Sequence, residues 1–230
     1  IFAKEVFGGT GMNIVNVALI ARAFIFFAYP SVISGDAVWV ATDAIFGLGA
    51  DIDGYTQATA LGVAATSGAA PAWDMNMVWG FIPGSIGETS VVAIALGALI
   101  LLGTGVASWK TMLSVFVGGG LMAWVFNQWG NLDNAVAMMP WYQHLALGGF
   151  CFGAVFMATD PVTSCRTACG KYIYGFLIGV VAVLIRVLNP GYPEGMMLAI
   201  LLMNLFAPLI DYYVYQANIS KRAKRALKSK

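Results

Sequence analysis

The amino-acid sequence predicts an all-α polytopic membrane protein with about six transmembrane helices. Three observations carry that expectation. Of the 230 residues, 60% are hydrophobic and 10% charged, where a soluble domain carries about 25% charged residues. Several apolar runs approach the roughly 20 residues that a bilayer crossing needs. The 27 glycines suit helices packed closely in lipid, where small residues let backbones approach. A soluble globule is excluded, because there is too little polar surface to coat one. The net charge of +1 gives no sign of a nucleic-acid partner.

The first candidate span covers residues 13–33 and contains Arg22, which near a helix centre costs about 2.5–3.5 kcal/mol. The preceding Gly8-Gly9-Thr10-Gly11 suits the start of a broken helix. Residues 34–90, rich in Gly, Ala and Asp, form a mostly non-spanning segment, with short helices expected around 58–66 and 73–82. Five clearer spans follow, at 91–106, 111–126, 145–157, 172–188 and 194–214. The chain starts at Ile1, not Met, and no signal peptide or transit segment is recognisable. It reads as the C-terminal part of a longer protein. One transmembrane domain is expected over 1–220, followed by a basic tail at 221–230.

Charge gives the spans a direction. Six crossings put both ends on one side, with Lys4, Lys110, Arg166, Lys171 and the six Lys or Arg of 220–230. The opposite side receives 34–90, 127–144 and 189–193, which contain no Lys or Arg. By the positive-inside rule the tail is cytoplasmic and 34–90 faces the periplasm. Trp109, Trp124, Trp129, Trp141 and Tyr172 fall near span ends, as an interfacial aromatic belt requires. The tail Lys221-Arg222-Ala223-Lys224-Arg225 reads as an anchor near anionic membrane lipid, ahead of nucleic acid.

Few residues offer chemistry. The single histidine, His144, reads as an interfacial hydrogen-bonding residue, not a base. HExxH, P-loop and Rossmann glycine patterns are missing. Cys165 and Cys169 lack two further ligands for a metal, so no metal and no catalytic residue is expected. Asp160 before Pro161 suits a helix stop or cap. Asp211, inside the last span, reads equally as a functional intramembrane acid and as a side chain reaching water. In Gly84-Ser85-Ile86-Gly87-Glu88-Thr89-Ser90 the last three residues can cap the next helix. The same helix start suits a phosphate, although Glu88 opposes an anion. The polar stretch Asp53-Gly54-Tyr55-Thr56-Gln57-Ala58-Thr59 reads, by pattern alone, as a helix N-cap at Thr56.

Taken together, these segments resemble the family of B subunits of sodium-pumping NADH:quinone oxidoreductases. The match runs in order through 8–24, Phe27-Ala28-Tyr29-Pro30, Ser34-Gly35-Asp36, 53–61, 84–90, Met157-Ala158-Thr159-Asp160-Pro161-Val162-Thr163 and 204–213. The related D-type component of the Rnf electron-transfer complex shares the general pattern. The resemblance implies a multi-pass protein of a bacterial inner membrane with a urea-transporter-like inverted-repeat fold, the first repeat lying in a missing N-terminal part. It also implies an FMN joined through its phosphate to a threonine, in a motif Asp-x-x-Ser/Thr-Gly-Ala-Thr. Asp53, Thr56, Ala58 and Thr59 fit this motif, which encloses Gly54, and Thr59 takes the acceptor place. Gln57 stands where glycine is common. The further cofactor is riboflavin, for which Asn13 and Asn16 match the family's asparagines. Gly84, Gly87, Glu88 and Thr89 complete the candidate cofactor-binding set, and Asp211 matches an acid of the sodium path. The implied function passes electrons from covalent FMN via riboflavin towards ubiquinone, coupled to sodium export, with the A, C, D, E and F subunits as partners. The alternatives are an Rnf-type D component, a channel of the same fold without redox activity, and an anchor without a cofactor.

Overall fold

The computed structural model describes residues 1–29, 38–39, 56–85, 87–130, 134–189 and 191–228. Asp53 and Gly54 lie outside these residues. After a 3₁₀ turn at Glu5–Phe7 come α1 (Val17–Ala28), a two-residue antiparallel pair of Val38–Trp39 with Thr56–Gln57, α2 (Ala60–Ser67), α3 (Asn76–Trp79) and α4 (Val91–Gly103). The chain continues through α5 (Trp109–Trp129), α6 (Ala135–Met138), α7 (Trp141–Ala146) and α8 (Phe150–Phe152), which runs into a π-helical turn at Gly153–Met157. Two long helices close it, α9 (Ala168–Leu188) and α10 (Met196–Lys228).

Three of these helices, α5, α9 and α10, are long and apolar enough to cross a membrane. The expectation of about six crossings is met only in part. The helices α1 and α4 are apolar but have 12 and 13 residues. At 1.5 Å per residue each reaches roughly 20 Å, short of the ~30 Å hydrocarbon core. The expected span at 145–157 is broken. Leu147 is extended, and Gly148 and Gly149 take left-handed φ values of 66° and 65°, which ends α7 and restarts the chain in a new direction. The short helices expected at 58–66 and 73–82 are present as α2 and α3. The division expected at 220/221 falls inside α10, which continues without interruption to Lys228.

The core forms around α9, which packs on α5 and α10. Its contact with α5 is made backbone to backbone. A Cβ on Gly118 would collide with the Phe176 carbonyl oxygen, and one on Gly179 with the Val115 carbonyl oxygen and the Gly119 nitrogen. Ser114 ties the same seam, donating to Thr111 O at 3.0 Å and to Lys171 O at 3.3 Å. Against α10, the hydroxyl of fully buried Tyr174 donates to Asn204 Oδ1 at 2.7 Å. Pro208, one turn further on, has no N–H to give back to the Asn204 carbonyl. Outward positions carry large apolar side chains, such as Leu99, Ile100, Leu113, Val117, Leu205 and Leu209.

The glycine seam makes a quantitative expectation. Gly179→Ala should destabilise the protein by about 1–3 kcal/mol, the usual cost of overpacking, because the obstructing atoms are backbone. Gly103→Ala, with nothing within 4 Å of its Cβ position, should leave thermal unfolding of the detergent-solubilised protein unchanged.

Candidate functional site

Thr59 is the N-cap of α2. Its backbone is extended, and its Oγ1 accepts the Gly62 N–H at 3.1 Å. This corrects the sequence reading that put the cap at Thr56, which instead lies in the two-residue strand pairing with Trp39. The physical reason is register: Thr56 and Gln57 are extended in the strand pair and Thr59 is extended too, with ψ 153°, so helical φ and ψ begin at residue 60. Ala58 precedes the cap, half-buried, and Thr59 itself is buried.

Four of the sequence-predicted residues meet here. Thr59, Gly84, Glu88 and Thr89 line one small cavity of about 10 Å³ together with Gly148 and Glu194. That is about the room a single water needs. Gly84 is required, since a Cβ there would press on Thr89 Cγ2 and approach Glu88 Oε1 at 3.5 Å. Glu88 Oε1 accepts the Ser85 N–H at 3.0 Å, closing its own loop. The cap of α4 is Ser90, whose Oγ accepts Ala93 N–H at 3.2 Å. Gly87 takes φ +87° at the turn and does not line the cavity. Glu194 lies in the turn before α10, 3.7 Å from Arg22. Burial, with Glu88 beside it, raises its carboxyl from 4.5 to about 7 against the opposing charges of Arg22 and Arg186.

The remaining candidates lie elsewhere. Asn13 and Asn16 line a separate cavity of about 470 Å³ with Asp160 and Phe156. Asn16 Oδ1 caps α1 by accepting Ala18 and Leu19 N–H, while its Nδ2 donates to Asp160 Oδ2 at 3.3 Å. Asn13 Nδ2 donates to Val15 O at 3.1 Å. Asp160 closes its own turn, as expected of a helix stop, by accepting Val162 N–H at 3.1 Å and the Thr163 hydroxyl at 2.9 Å. Asp211 on α10 accepts from Arg166 N at 2.7 Å, Thr167 N at 3.1 Å and Thr167 Oγ1 at 2.5 Å. It thereby holds the N-terminal end of α9.

Two features escaped the sequence reading. His144, expected at an interface, is fully buried, and neither ring nitrogen has a hydrogen-bond partner among the described residues. Burial, then the charge of Arg186, lowers its imidazole to about 3, so it is neutral. Arg186, 1% exposed, is the largest fully buried side chain among the described residues, and it reaches the wall of the Thr59 cavity at Gly148. The signals available were an arginine in the otherwise uncharged stretch 172–188 and a Gly-Gly pair inside a predicted span.

A model of the NQR2, RnfD, RnfE family matches residues 1–220. Among similar proteins, the B subunit of the Na(+)-translocating NADH-quinone reductase of Chromohalobacter salexigens is 56% identical over 229 residues, covering 98% of this chain and 53% of its own length. Its namesakes from Pseudomonas aeruginosa and Ectopseudomonas mendocina are 50% and 51% identical over 230 residues, covering 98% of this chain and 55% of theirs. The chain therefore spans about half the length of the curated relatives it matches.

Two outcomes follow from the site geometry. Thr59→Val should cost roughly 0.5–2 kcal/mol through loss of the α2 cap, and Thr59→Ser should retain most of it, as read by thermal unfolding. The raised Glu194 carboxyl means that the folded protein holds a proton which the unfolded chain releases above about 4.5. The corresponding stabilisation is complete below that pH and is lost as pH rises through about 7. Unfolding temperatures across that window should fall less steeply in Glu194→Gln.

Proposed function

The chain belongs to the NQR2, RnfD, RnfE family, and from that premise we propose that it is the flavin-carrying membrane part of a sodium-pumping NADH:quinone oxidoreductase. In this reading electron passage to ubiquinone is coupled to sodium export. The chain works with the A, C, D, E and F subunits of the complex in a bacterial inner membrane. Its C-terminus is cytoplasmic and Thr59 faces the periplasm. The two shorter apolar helices and the broken segment at 145–157 complete a six-segment, urea-transporter-like half of an inverted repeat.

The observation that carries the reading is the geometry of Thr59. Its Oγ1 acts as an acceptor from Gly62, so the O–H bond is the part that esterification replaces. Thr59 would hold an ester phosphoryl at the start of an eight-residue helix, where free N–H groups and the dipole favour an anion. Gly62 leaves space beside the oxygen, since a Cβ there would come within 3.1 Å of it. The described residues thus offer the phosphoryl end of a covalent FMN an acceptor oxygen and a helix N-terminus. The cavity of about 10 Å³ lined by Glu88 and Glu194 holds neither a phosphoryl group nor an isoalloxazine ring as it stands. When bound, a flavin supplies one- and two-electron transfer, and the protein fixes its position and electrostatics.

Asn13 and Asn16 suit a noncovalent riboflavin. Their cavity of about 470 Å³ is in the range of small-molecule sites, with two amides, the Asp160 carboxylate and the Phe156 ring around it. Asp211 is retained as an ion-path residue. An Rnf-type D component is the second reading, favoured by the same family match.

Ultraviolet fluorescence of the denatured polypeptide on a gel tests the proposal. A fluorescent band is expected, with the mass of the adduct on the peptide containing Thr59 and no adduct in Thr59→Val. A dark wild-type band supports a channel or a cofactor-free anchor, and an adduct persisting in Thr59→Val refutes the assignment.

A further inference from the structure

The helices α5 and α9 run parallel and start side by side. Ser114 of α5 donates to Lys171 O at 3.3 Å, and the Trp109 and Tyr172 rings meet edge to face at 6.2 Å. At this end lies a cavity of about 260 Å³, roughly twenty times the room that a single water needs. Arg166 and Lys171 line it with Ser108, Ser164 and Val106, and no carboxylate does.

Its polar groups are uncommitted. Ser164 is 9% exposed, yet its hydroxyl has no hydrogen-bond partner among the described residues. The side chains of Arg166 and Lys171 make neither an ion pair nor a hydrogen bond among these residues. It is the backbone N–H of Arg166 that Asp211 takes. The Ser108 hydroxyl caps nothing, which leaves the first turn of α5 open to an anion. Two carboxylates belong to adjoining turns. Asp211 accepts from Arg166 N, Thr167 N and Thr167 Oγ1. Asp160 accepts from Val162 N, Thr163 Oγ1 and Asn16 Nδ2. Neither lines the cavity. Against these two charges stand Arg166, Lys171 and Lys110, whose Nζ lies 5.9 Å from the centre of the Tyr172 ring.

The surroundings select among anions. Trp109 and Tyr172 are exposed beside the cavity, as aromatic residues at a membrane interface are. Leu102, Val106 and Leu113 turn apolar surface outward on α4, the loop after it and α5. A ligand with a charged head and apolar tails therefore meets cations and hydroxyls at one end and hydrocarbon-facing side chains at the other. A free phosphate uses only the first part.

We propose that this cavity binds the phosphate of an anionic membrane phospholipid. Arg166 and Lys171 pair with its charge, Ser164 donates its hydroxyl, and the acyl chains lie along α4 and α5. Basic pockets between membrane helices hold anionic headgroups in this way. The cavity shares no lining residue with that of Thr59, so the proposal stands whether or not a flavin is attached there.

The test uses the assembled complex in phosphatidylcholine nanodiscs containing phosphatidylglycerol with a photoreactive group at the start of one acyl chain. Peptide mass should find the label on the segment holding Val106 and Trp109. Unlabelled phosphatidylglycerol should compete, and millimolar inorganic phosphate should not. Labelling should fall several-fold when Arg166→Gln and Lys171→Gln are combined, with the unfolding temperature unchanged, because these side chains have no partner in the protein to lose. Ser164→Ala should lower it as well, without a change of charge. Lys221→Gln with Lys224→Gln in the tail should leave it near the wild-type level. A wild-type segment without label overturns the inference, as a protein partner covering this face would give. Equal labelling by the matching phosphatidylcholine, displacement by inorganic phosphate, or labelling unaffected by the Arg166 and Lys171 pair or by Ser164→Ala also overturns it.

Discussion

The backbone-to-backbone approach of α5 and α9 is the constraint from which the rest of the described structure follows. Where Gly118 and Gly179 face the opposite chain, no side chain intervenes, so the separation of the two helices is set by peptide groups. In lipid, where apolar side chains gain nothing by leaving solvent for one another, such close packing is a main source of helix association. It fixes α9 along its length. Tyr174 then takes its partner Asn204 on α10, and Arg186, at the other end of α9, takes the carbonyls of the broken segment. A shift of α9 by one turn would separate all of these pairs together.

Irregular backbone inside such a protein needs internal partners, because hydrocarbon offers none. Side-chain amides and one guanidinium supply them. Asn127 donates to Met138 O at 3.0 Å and Asn134 to Val187 O at 3.0 Å, while Asn134 also caps α6. Gln143 reaches Pro71 O at 3.1 Å, tying α7 to the segment between α2 and α3. Arg186 serves four more carbonyls. At the break of 147–149 it is Arg186 that supplies partners, to Leu147 O and Gly148 O.

The sequence made the long helices legible because their apolar runs are continuous: 111–126, 172–188 and 194–214 all fall within or along α5, α9 and α10. It also located α2 and α3, through glycine, alanine and polar breaks on either side. It misread 145–157 as one span, since hydropathy is blind to the direction change that Gly148 and Gly149 introduce. At the site, Gly84, Glu88 and Thr89 were tied to Thr59 by resemblance, and the fold brings them to one cavity. Gly148 and Glu194, the other side of that cavity, come from segments far along the chain. Pattern reading along one segment carries no information about such a meeting. The cap at Thr59 was missed for a local reason: Thr56 and Thr59 are equally good capping residues, and only the extended pairing through Gln57 selects between them.

The polar groups of the two candidate cofactor regions are also what restrains helix ends, and this bears on Asp211. Its carboxylate receives three donors, all from Arg166 and Thr167. Thr167 Oγ1 in turn accepts the Gly170 N–H at 3.0 Å. Gly170 leaves room for this contact, since a Cβ there would sit 2.6 Å from Asp211 Oδ1. A carboxylate held in this way stabilises the start of α9 through the helix dipole as well as by hydrogen bonds. A cation taking the same oxygens must displace the Thr167 hydroxyl or the Arg166 N–H, and so loosen the first turn of α9. Asp211 thus restrains the first turn of α9, while Arg186 in its last turn ties the same helix to the broken segment at 147–149.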